Sequence, residues 1–370
     1  MGIPEKIRAI EDEIHKTQIN KKTEHHIGLL KAKIARLRRD MEENVQNRIL
    51  STGGGAAGFD VRKTGDASII LIGLPSVGKS TLLNRLTNAK SKVGSYLFTT
   101  LSAIPGMMQY RGARVQVLDM PGIIQGAAAG KGLGKKVLSI ARSSDLIVTV
   151  LDVFQPHHLP IIRKELFDIG IRVDEKPPEV LIEKTSGGGL SINILASIRI
   201  SEKLIREIAL DYGIRNGRII IREREFSAEQ LIDVLNGNRV YIPSLTVLNK
   251  IDLVNQGFVR ELQSKIGSCF IPISADADVN INALKEEIYK KLDFIRIYMR
   301  QKGKETDFDE PMIMRNGSTV GDVCTKIHRS MLRDFRYAQV WGMSAKFGGQ
   351  KVGADHQLID EDVLTITRKI

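Results

Sequence analysis

The sequence predicts an α/β protein built on a doubly wound parallel sheet. Short apolar runs rich in β-branched residues, the pattern of buried strands, recur at 68–72, 115–118, 146–151 and 246–248. The first run passes through a glycine-containing loop into a segment with helical spacing of its apolar residues. Strand, loop and helix in this order are the repeating unit of an α/β fold. We therefore expect the fold to be centred on residues 68–86.

The composition is that of a globular protein of two or three domains. The chain has 370 residues, of which 42% are hydrophobic, and no apolar run is long enough to cross a bilayer. Residues 1–13 lack the apolar core of a signal peptide, and Cys269 and Cys324 show no paired spacing. Both observations predict a reducing, cytoplasmic location. The net charge of +12 predicts a polyanionic partner such as RNA, unless it reflects a generally basic composition.

Residues 1–50 are predicted to form an antiparallel helical hairpin. Apolar residues repeat at three- and four-residue steps in two segments, with a polar break at 20–23 between them. The second segment carries five cations, which either contact phosphates or form a solvated face. These cations are Lys31, Lys33, Arg36, Arg38 and Arg39.

Residues 73–80 read G-x-x-x-x-G-K-S, the phosphate-binding loop pattern, between a predicted strand and a predicted helix. The glycines let backbone N–H groups point inward around a phosphate, and the helix N-terminus adds positive potential. Lys79 is predicted to reach the β- and γ-phosphates, and the Ser80 hydroxyl to ligate Mg²⁺. The predicted nucleotide contacts in this segment are Pro75, Ser76, Val77, Gly78, Lys79, Ser80 and Thr81.

Two further segments are predicted to contact Mg²⁺ and a γ-phosphate. Asp119 follows the run 115–118, and the C-terminal ends of parallel strands border the ligand crevice, so its carboxylate can hold Mg²⁺ directly or through water. Gly122 can donate its N–H to a γ-phosphate, and the glycine-rich stretch 126–136 suits a switch loop. A loop threonine can add its hydroxyl to the Mg²⁺, and the loop concerned carries Phe98, Thr99 and Thr100.

The base is predicted to be guanine, because residues 249–252 read N-K-x-D at the end of a strand. The Asp252 carboxylate can accept hydrogen bonds from guanine N1–H and from the exocyclic amine, and adenine offers neither donor there. An adenine nucleotide would leave that carboxylate unpaired, at a cost of about 1–3 kcal/mol or more.

Neighbouring residues are predicted to complete the base site. We expect Asn249 to brace the loop and contact the base edge, and the Lys250 stem to lie over the base plane. Ser274 and Ala275 end a further strand that begins at residue 271, and the Ala275 N–H is expected to point at guanine O6.

Spacing predicts an insertion in the nucleotide-binding domain. Asp119 and Asn249 lie 130 positions apart, whereas the elements expected between them need about 55 residues. We therefore assign residues 156–226 to a small inserted α+β domain, and residues 51–155 with 227–292 to the nucleotide-binding domain. Residues 293–370 carry two short apolar runs, a helix start and further runs, the order of a β-grasp module.

These motifs together resemble the Obg-like GTPases. The glycine linker, the insertion and the tail resemble the developmentally regulated GTP-binding (DRG) proteins more closely, and the similarity covers essentially the whole chain. The resemblance implies a helical N-terminal region, a P-loop GTPase domain with an inserted domain, and a C-terminal TGS domain. It also implies a monomeric cytoplasmic GTPase that binds GTP or GDP with Mg²⁺. Its implied partners are ribosomes, ribosomal RNA or translation factors, and a regulatory protein.

The resemblance also implies roles for individual residues. The implied catalytic residues are Lys79, Thr100 and Gly122. The implied metal ligands are Ser80, Thr100 and Asp119, with Thr100 preferred to Thr99 by the family register. Ile123 stands where Ras-like enzymes place a water-orienting glutamine, which implies slow hydrolysis. Related loops that bind K⁺ carry asparagine where this chain has Ser76, so the use of K⁺ stays open.

Two other functions stay open from the sequence. The chain is alternatively a ribosome- or RNA-binding scaffold whose GTP site is structural and barely hydrolytic, because Ile123 fits a slow enzyme and a nearly inactive one alike. A P-loop ATPase or kinase is disfavoured by Asn249 and Asp252. Slow GTP hydrolysis is the function that the sequence favours.

Overall fold

The structure is a computed structural model that describes residues 3–18, 20, 23–51, 64–87, 104–119, 140–195, 200–266, 270–301 and 303–368. Its helices are α1 (Ile3–Lys16), α2 (Glu24–Ser51), α3 (Lys79–Leu86), α4 (His158–Asp168), α5 (Glu202–Asp211), α6 (Ala228–Asn236), α7 (Gln256–Ile266), α8 (Ile281–Lys291) and α9 (Val320–Ile327), with a 3₁₀ turn η1 (Ile251–Leu253). Its strands are β1 (Ala67–Ile72), β2 (Ile104–Tyr110), β3 (Ala113–Asp119), β4 (Leu146–Asp152), β5 (Ile171–Val173), β6 (Val180–Lys184), β7 (Leu190–Ile194), β8 (Gly217–Ile221), β9 (Val240–Ile242), β10 (Ser244–Asn249), β11 (Ile271–Pro272), β12 (Phe294–Met299), β13 (Met312–Arg315), β14 (Phe335–Trp341), β15 (Gln350–Val352) and β16 (Val363–Arg368).

Some residues with predicted roles lie outside the described residues. They are Phe98, Thr99, Thr100, Gly122, Ile123, Cys269 and the stretch 126–136. Among the helices of the part that is described, none combines the length and the apolar character that crossing a bilayer requires.

The chain divides into two compact units, residues 1–59 with 170–241 and residues 60–169 with 242–370. The second unit holds a six-stranded sheet of order β11-β10-β4-β1-β3-β2. Five of these strands pair in parallel, whereas β2 is an antiparallel edge strand on β3. Successive strands lie on opposite sides of β1, which places the topological switch point at its C-terminal end. The predicted doubly wound sheet is confirmed.

Strand β1 is central to the core of this unit. All six of its residues are buried, as expected for a parallel strand covered on both faces. Ile69 and Leu71 belong to a cluster that also contains Leu284 and Ile288 of α8. The C-terminal end of β1, and with it the loop at 73–78, is therefore fixed by packing.

The C-terminal module is a five-stranded sheet of order β13-β12-β16-β14-β15. Helix α9 starts with a capping box, in which Thr319 and Asp322 exchange side-chain and backbone hydrogen bonds. Its apolar side chains Val320 and Val323 are buried in one cluster with residues of the sheet. The predicted β-grasp module is confirmed.

The first unit contains the N-terminal hairpin together with α5, α6 and strands β5–β9. Ile7 and Ile10 of α1 pack against Leu30 and Ile34 of α2, as the apolar seams predict. Ion pairs inside this unit engage Lys31, Arg36 and Arg38 of α2, so these three are less available for phosphate contacts. The pairs are Lys31 with Glu229 at 2.5 Å, Arg36 with Asp211 at 3.0 Å and Arg38 with Glu11 at 2.9 Å.

Two helices lie in a different compact unit from the one that the predicted boundaries of the insertion assign to them. Helix α4, predicted to belong to the insertion, contacts β4 of the nucleotide-binding sheet. Helix α6, predicted to belong to the nucleotide-binding domain, starts at a capping box of Ser227 and Gln230 but contacts α2 and α5. The reason is that Leu231 and Ile232 of α6 are buried in the same cluster as α5.

Candidate nucleotide-binding site

The loop at 73–78 turns from the end of β1 into α3. Gly78 has φ of +90°, and a Cβ there would lie 2.4 Å from Asn249 Nδ2, so a larger residue would be both strained and obstructed. Ser76 also has a positive φ of 64°, a conformation that costs a non-glycine residue roughly 1 kcal/mol or more. Val77 is buried and anchors the loop, whereas Pro75 and Ser76 are exposed. The loop therefore holds a conformation that its own sequence disfavours, which is common where a backbone serves a ligand.

The loop borders a cavity of about 310 Å³. This volume is in the range of small-ligand sites. The cavity brings together predicted contacts from two distant segments of the chain with one unpredicted residue, Asp276. Its lining residues are Ser76, Gly78, Lys79, Ser80, Thr81, Lys250 and Asp276.

The side chain of Lys79 is buried beneath the loop. Its Nζ donates to the carbonyl oxygens of Gly73 at 3.0 Å and Leu74 at 2.8 Å. Burial lowers the pKa of Lys79, and the negative charge of Asp119 opposes that shift. A buried ammonium ion beside a cavity favours an anionic ligand, because an added negative charge stabilises the protonated amine.

Ser80 and Asp119, the two predicted metal ligands that the structure describes, lie in contact. The Ser80 Oγ donates to Asp119 Oδ2 at 2.7 Å. Asp119 ends β3, where its backbone pairs with Leu71 of β1, and its Oδ1 is buried without a hydrogen-bond partner among the described residues. A hydroxyl and a buried carboxylate oxygen are hard oxygen donors of the kind that Mg²⁺ prefers, so this pair fits the predicted ion.

Asn249 joins three segments of the site. Its Nδ2 donates to the carbonyl oxygen of Val77 and its Oδ1 accepts the N–H of Ala275, both at 2.9 Å. The side chain is 1% exposed. The expected bracing role of Asn249 is therefore present, and its contact with the base edge stays a prediction. The N–H of Ala275, expected to point at guanine O6, is likewise engaged by Asn249, because that side chain faces inward between the loop and residue 275.

The remaining predicted base contacts lie near the end of β10. Asp252 is on η1 and is exposed to solvent. Lys250 has a left-handed φ of 68°, and its Nζ lies 2.6 Å from Asp152 Oδ2. Ser274 is buried, and its Oγ accepts the N–H of Ala277 at 3.0 Å, so it shapes the turn that carries Ala275.

Besides Asp276, two residues of the site were not predicted from the sequence. Arg85 of α3 donates to the carbonyl oxygens of Ala275 and Asp276, both at 2.9 Å, and so ties the helix to that turn. No sequence signal distinguishes it from another helical arginine. Asp152, however, ends a buried parallel strand, which is the same signal that identifies Asp119.

The fold and the site together define a class of protein. A doubly wound sheet carries a phosphate-binding loop at its switch point, a serine and an aspartate in contact beside that loop, and an N-K-x-D segment hydrogen-bonded to it. This is the arrangement of a P-loop GTPase domain.

Comparison with known proteins gives the family within that class. The model described as 50S ribosome-binding GTPase matches residues 68–184, the one described as C-terminal region of the MMR_HSR1 domain matches 187–294, and the TGS domain model matches 295–368. The chain is 52% identical over 373 residues to an uncharacterized GTP-binding protein of Methanocaldococcus jannaschii, covering 100% of this chain and 94% of that one. It is 43% identical over 371 residues to developmentally-regulated GTP-binding protein 2 of Homo sapiens, covering 100% of both chains.

Among solved structures, the YchF GTPase of Schizosaccharomyces pombe aligns with 83% of this chain and 99% of its own, with a TM-score of 0.48 and 15% identity. The full-length identity with the human relative is sufficient for assignment. The chain belongs to the developmentally regulated GTP-binding protein family, as its motifs predict.

Proposed function

We propose that this protein hydrolyses GTP slowly to GDP and phosphate, as a Mg²⁺-dependent switch that works with ribosomes in the cytoplasm. The observation that carries the proposal is the contact between Ser80 and Asp119 beside the phosphate-binding loop, with one Asp119 oxygen buried and unpaired within the described chain. That arrangement supports a site that holds Mg²⁺ beside the phosphates of a nucleotide. Mg²⁺, when bound there, supplies positive charge that stabilises the phosphate oxygens.

Lys79 and the backbone of the loop provide the rest of the positive potential. A γ-phosphate offers Lys79 anionic acceptors in place of the carbonyl oxygens of Gly73 and Leu74 that it contacts in the structure. Thr100 and Gly122 are proposed to contact the metal and the γ-phosphate on the basis of the family resemblance. Their release after hydrolysis would change the surface presented to a partner, which is how nucleotide switches signal.

Selection of guanine is proposed to rest on Asp252. Because Asn249 and the N–H of Ala275 hydrogen-bond to one another, the carboxylate of Asp252 is the base-reading group that stays exposed. Two hydrogen bonds to N1–H and the exocyclic amine distinguish guanine from adenine. ATP should therefore compete poorly with labelled GTP. Equal competition by ATP would contradict guanine selection.

Two observations support the proposed ribosome partner. The family model that matches residues 68–184 is described as a 50S ribosome-binding GTPase, and the net charge is +12. Binding through phosphate contacts falls steeply as salt rises, because counterions are released from RNA. Co-sedimentation with ribosomes should accordingly weaken between low and high salt and should depend on the bound nucleotide.

The experiment that tests the proposal is GTP turnover with and without ribosomes, in K⁺ and in Na⁺. We expect slow turnover that ribosomes accelerate and that Asp119→Asn abolishes. Asp145→Asn is the matched control, because Asp145 contacts the Ser68 N–H before the start of β4, at the opposite end of the sheet from the site. Turnover that is absent in every condition would refute the enzyme and favour the scaffold with a structural GTP site.

A further inference from the structure

An ion pair with Asp152 places the side chain of Lys250. Its Nζ lies 2.6 Å from Asp152 Oδ2, and its left-handed backbone, with φ of 68°, directs the chain at the end of β10. Lys250 also lines the cavity formed by Gly78, Lys79 and Ser80. The ion pair therefore fixes a lysine that borders the nucleotide site.

The carboxylate of Asp152 is itself held on both oxygens. Oδ2 accepts from Lys250, and Oδ1 accepts the N–H of Phe154 at 2.9 Å. Asp152 is the last residue of β4 and pairs across the sheet with Asn249, the residue before Lys250. Its side chain is 13% exposed, so neither oxygen is in bulk water. With both oxygens engaged, Asp152 suits neither a metal ion nor the edge of a base.

The ion pair with Asp152 fixes the four-carbon stem of Lys250. A free lysine side chain samples many rotamers, and ordering it costs conformational entropy. An ion pair that orders the stem within the protein reduces the cost of ordering it against a base, which is preorganisation. The stem is apolar and can cover the plane of a purine while the ammonium stays paired.

We infer that Asp152 is a positioning residue for the guanine nucleotide: it holds Lys250 so that the lysine stem covers the base. The inference rests on the proposed guanine-nucleotide site. Because the stem lies on the plane of the base and not at its edge, the contribution is the same for GDP, IDP and XDP. Selection among these bases stays with Asp252.

The test is a double-mutant cycle on the full chain, with GDP affinity measured by titration calorimetry. Asp152→Asn should weaken GDP about three- to tenfold, as expected when part of the ordering cost returns. Lys250→Met keeps the apolar stem and removes the charge, so it should lose the same factor. The double variant should then bind GDP no more weakly than Lys250→Met alone. A merely structural Asp152 would weaken GDP equally in both backgrounds, and that result overturns the inference.

Three further measurements complete the test. Asp152→Glu keeps a carboxylate and should recover part of the GDP affinity that Asp152→Asn loses; no recovery overturns the inference. If Asp152→Asn does not fold, Asp152→Glu takes its place in the double-mutant cycle. Asp145→Asn is the matched control, because Asp145 directly precedes the N-terminal end of the same strand, away from the site. This variant should leave GDP affinity unchanged. The loss on Asp152→Asn should be equal for GDP, IDP and XDP, and a change in their ranking would assign Asp152 to the base edge instead. If the wild-type chain binds no guanine nucleotide, the proposed function fails; if it binds and the cycle is additive, only the role of Asp152 fails.

Discussion

Replacing Asn249 with alanine tests whether one buried amide holds the nucleotide site together. The wild-type side chain makes two hydrogen bonds of 2.9 Å, to the Val77 carbonyl oxygen and from the Ala275 N–H. Alanine removes both and leaves two backbone groups without these partners inside the protein. Each lost bond costs about 0.5–1.5 kcal/mol, and each stranded buried group about 1–3 kcal/mol. Partial relaxation of the loop lowers that sum, so we expect the free energy of unfolding to fall by about 2–4 kcal/mol.

The same variant should bind GDP about ten- to a hundredfold more weakly, because the phosphate-binding loop and the 274–277 turn lose their common anchor. Urea unfolding of the nucleotide-free chain gives the first quantity, and calorimetric titration with GDP gives the second. Asn236→Ala is the matched control, since Asn236 is also buried but lies on α6, where its Oδ1 accepts from Tyr212 at 3.3 Å. It should lower stability without changing GDP affinity. An Asn249→Ala chain that unfolds and binds GDP like the wild type would refute the bracing role.

Three other predictions follow from the structure. Asp252→Asn should reverse the preference between GDP and XDP in a competition assay. The reason is that an amide donates to the xanthine 2-carbonyl, whereas the carboxylate accepts from the guanine amine; an unchanged ranking would contradict the assignment of Asp252 as the base-reading residue. Asp233→Ala should lower the free energy of unfolding by about 3–5 kcal/mol, because it removes one partner of the buried ion pair that Asp233 forms with Arg172 at 2.5 Å; a loss below about 1 kcal/mol in urea unfolding would contradict a stabilising role for this pair. Burial raises the pKa of Tyr212 to about 12, so the unfolded chain loses this proton first. The free energy of unfolding should therefore fall as pH rises from about 10 to about 12. Tyr212→Phe should flatten that decline, and identical alkaline profiles for the two chains would contradict this role of Tyr212.

Features set by neighbours in the chain were predictable from the sequence. The capping boxes at Ser227 and Thr319 depend on hydrogen bonds between residues three apart, and both are present. The doubly wound parallel sheet was predictable too, because a run of apolar residues, a glycine loop and a helix allow few alternatives. The strand expected at 271–275 stops at Pro272, because the backbone of Ser274 turns to pair with Val279.

Features set by distant residues were not predictable. Asn249 and Val77 are 172 positions apart, and nothing local to either residue indicates the hydrogen bond between them. The ion pair of Lys250 with Asp152 spans 98 positions and depends on the register between β4 and β10. The compact unit to which α6 belongs likewise depends on the surface against which its apolar face packs. The sequence of α6 predicts an apolar face but does not identify that surface.

The C-terminal module is attached to the nucleotide-binding sheet near the starts of two of its strands. Arg315 pairs with Asp145, just before β4, and Lys326 pairs with Asp66, just before β1, at 3.0 Å. Phe294 and Ile313 of the module also share the core of the sheet. The far ends of the same strands carry the phosphate-binding loop and Asp152, about 20 Å away along six or seven residues. An extended strand hardly stretches. A force applied to the module would therefore either break these two ion pairs or be transmitted along β1 and β4 to the phosphate-binding loop.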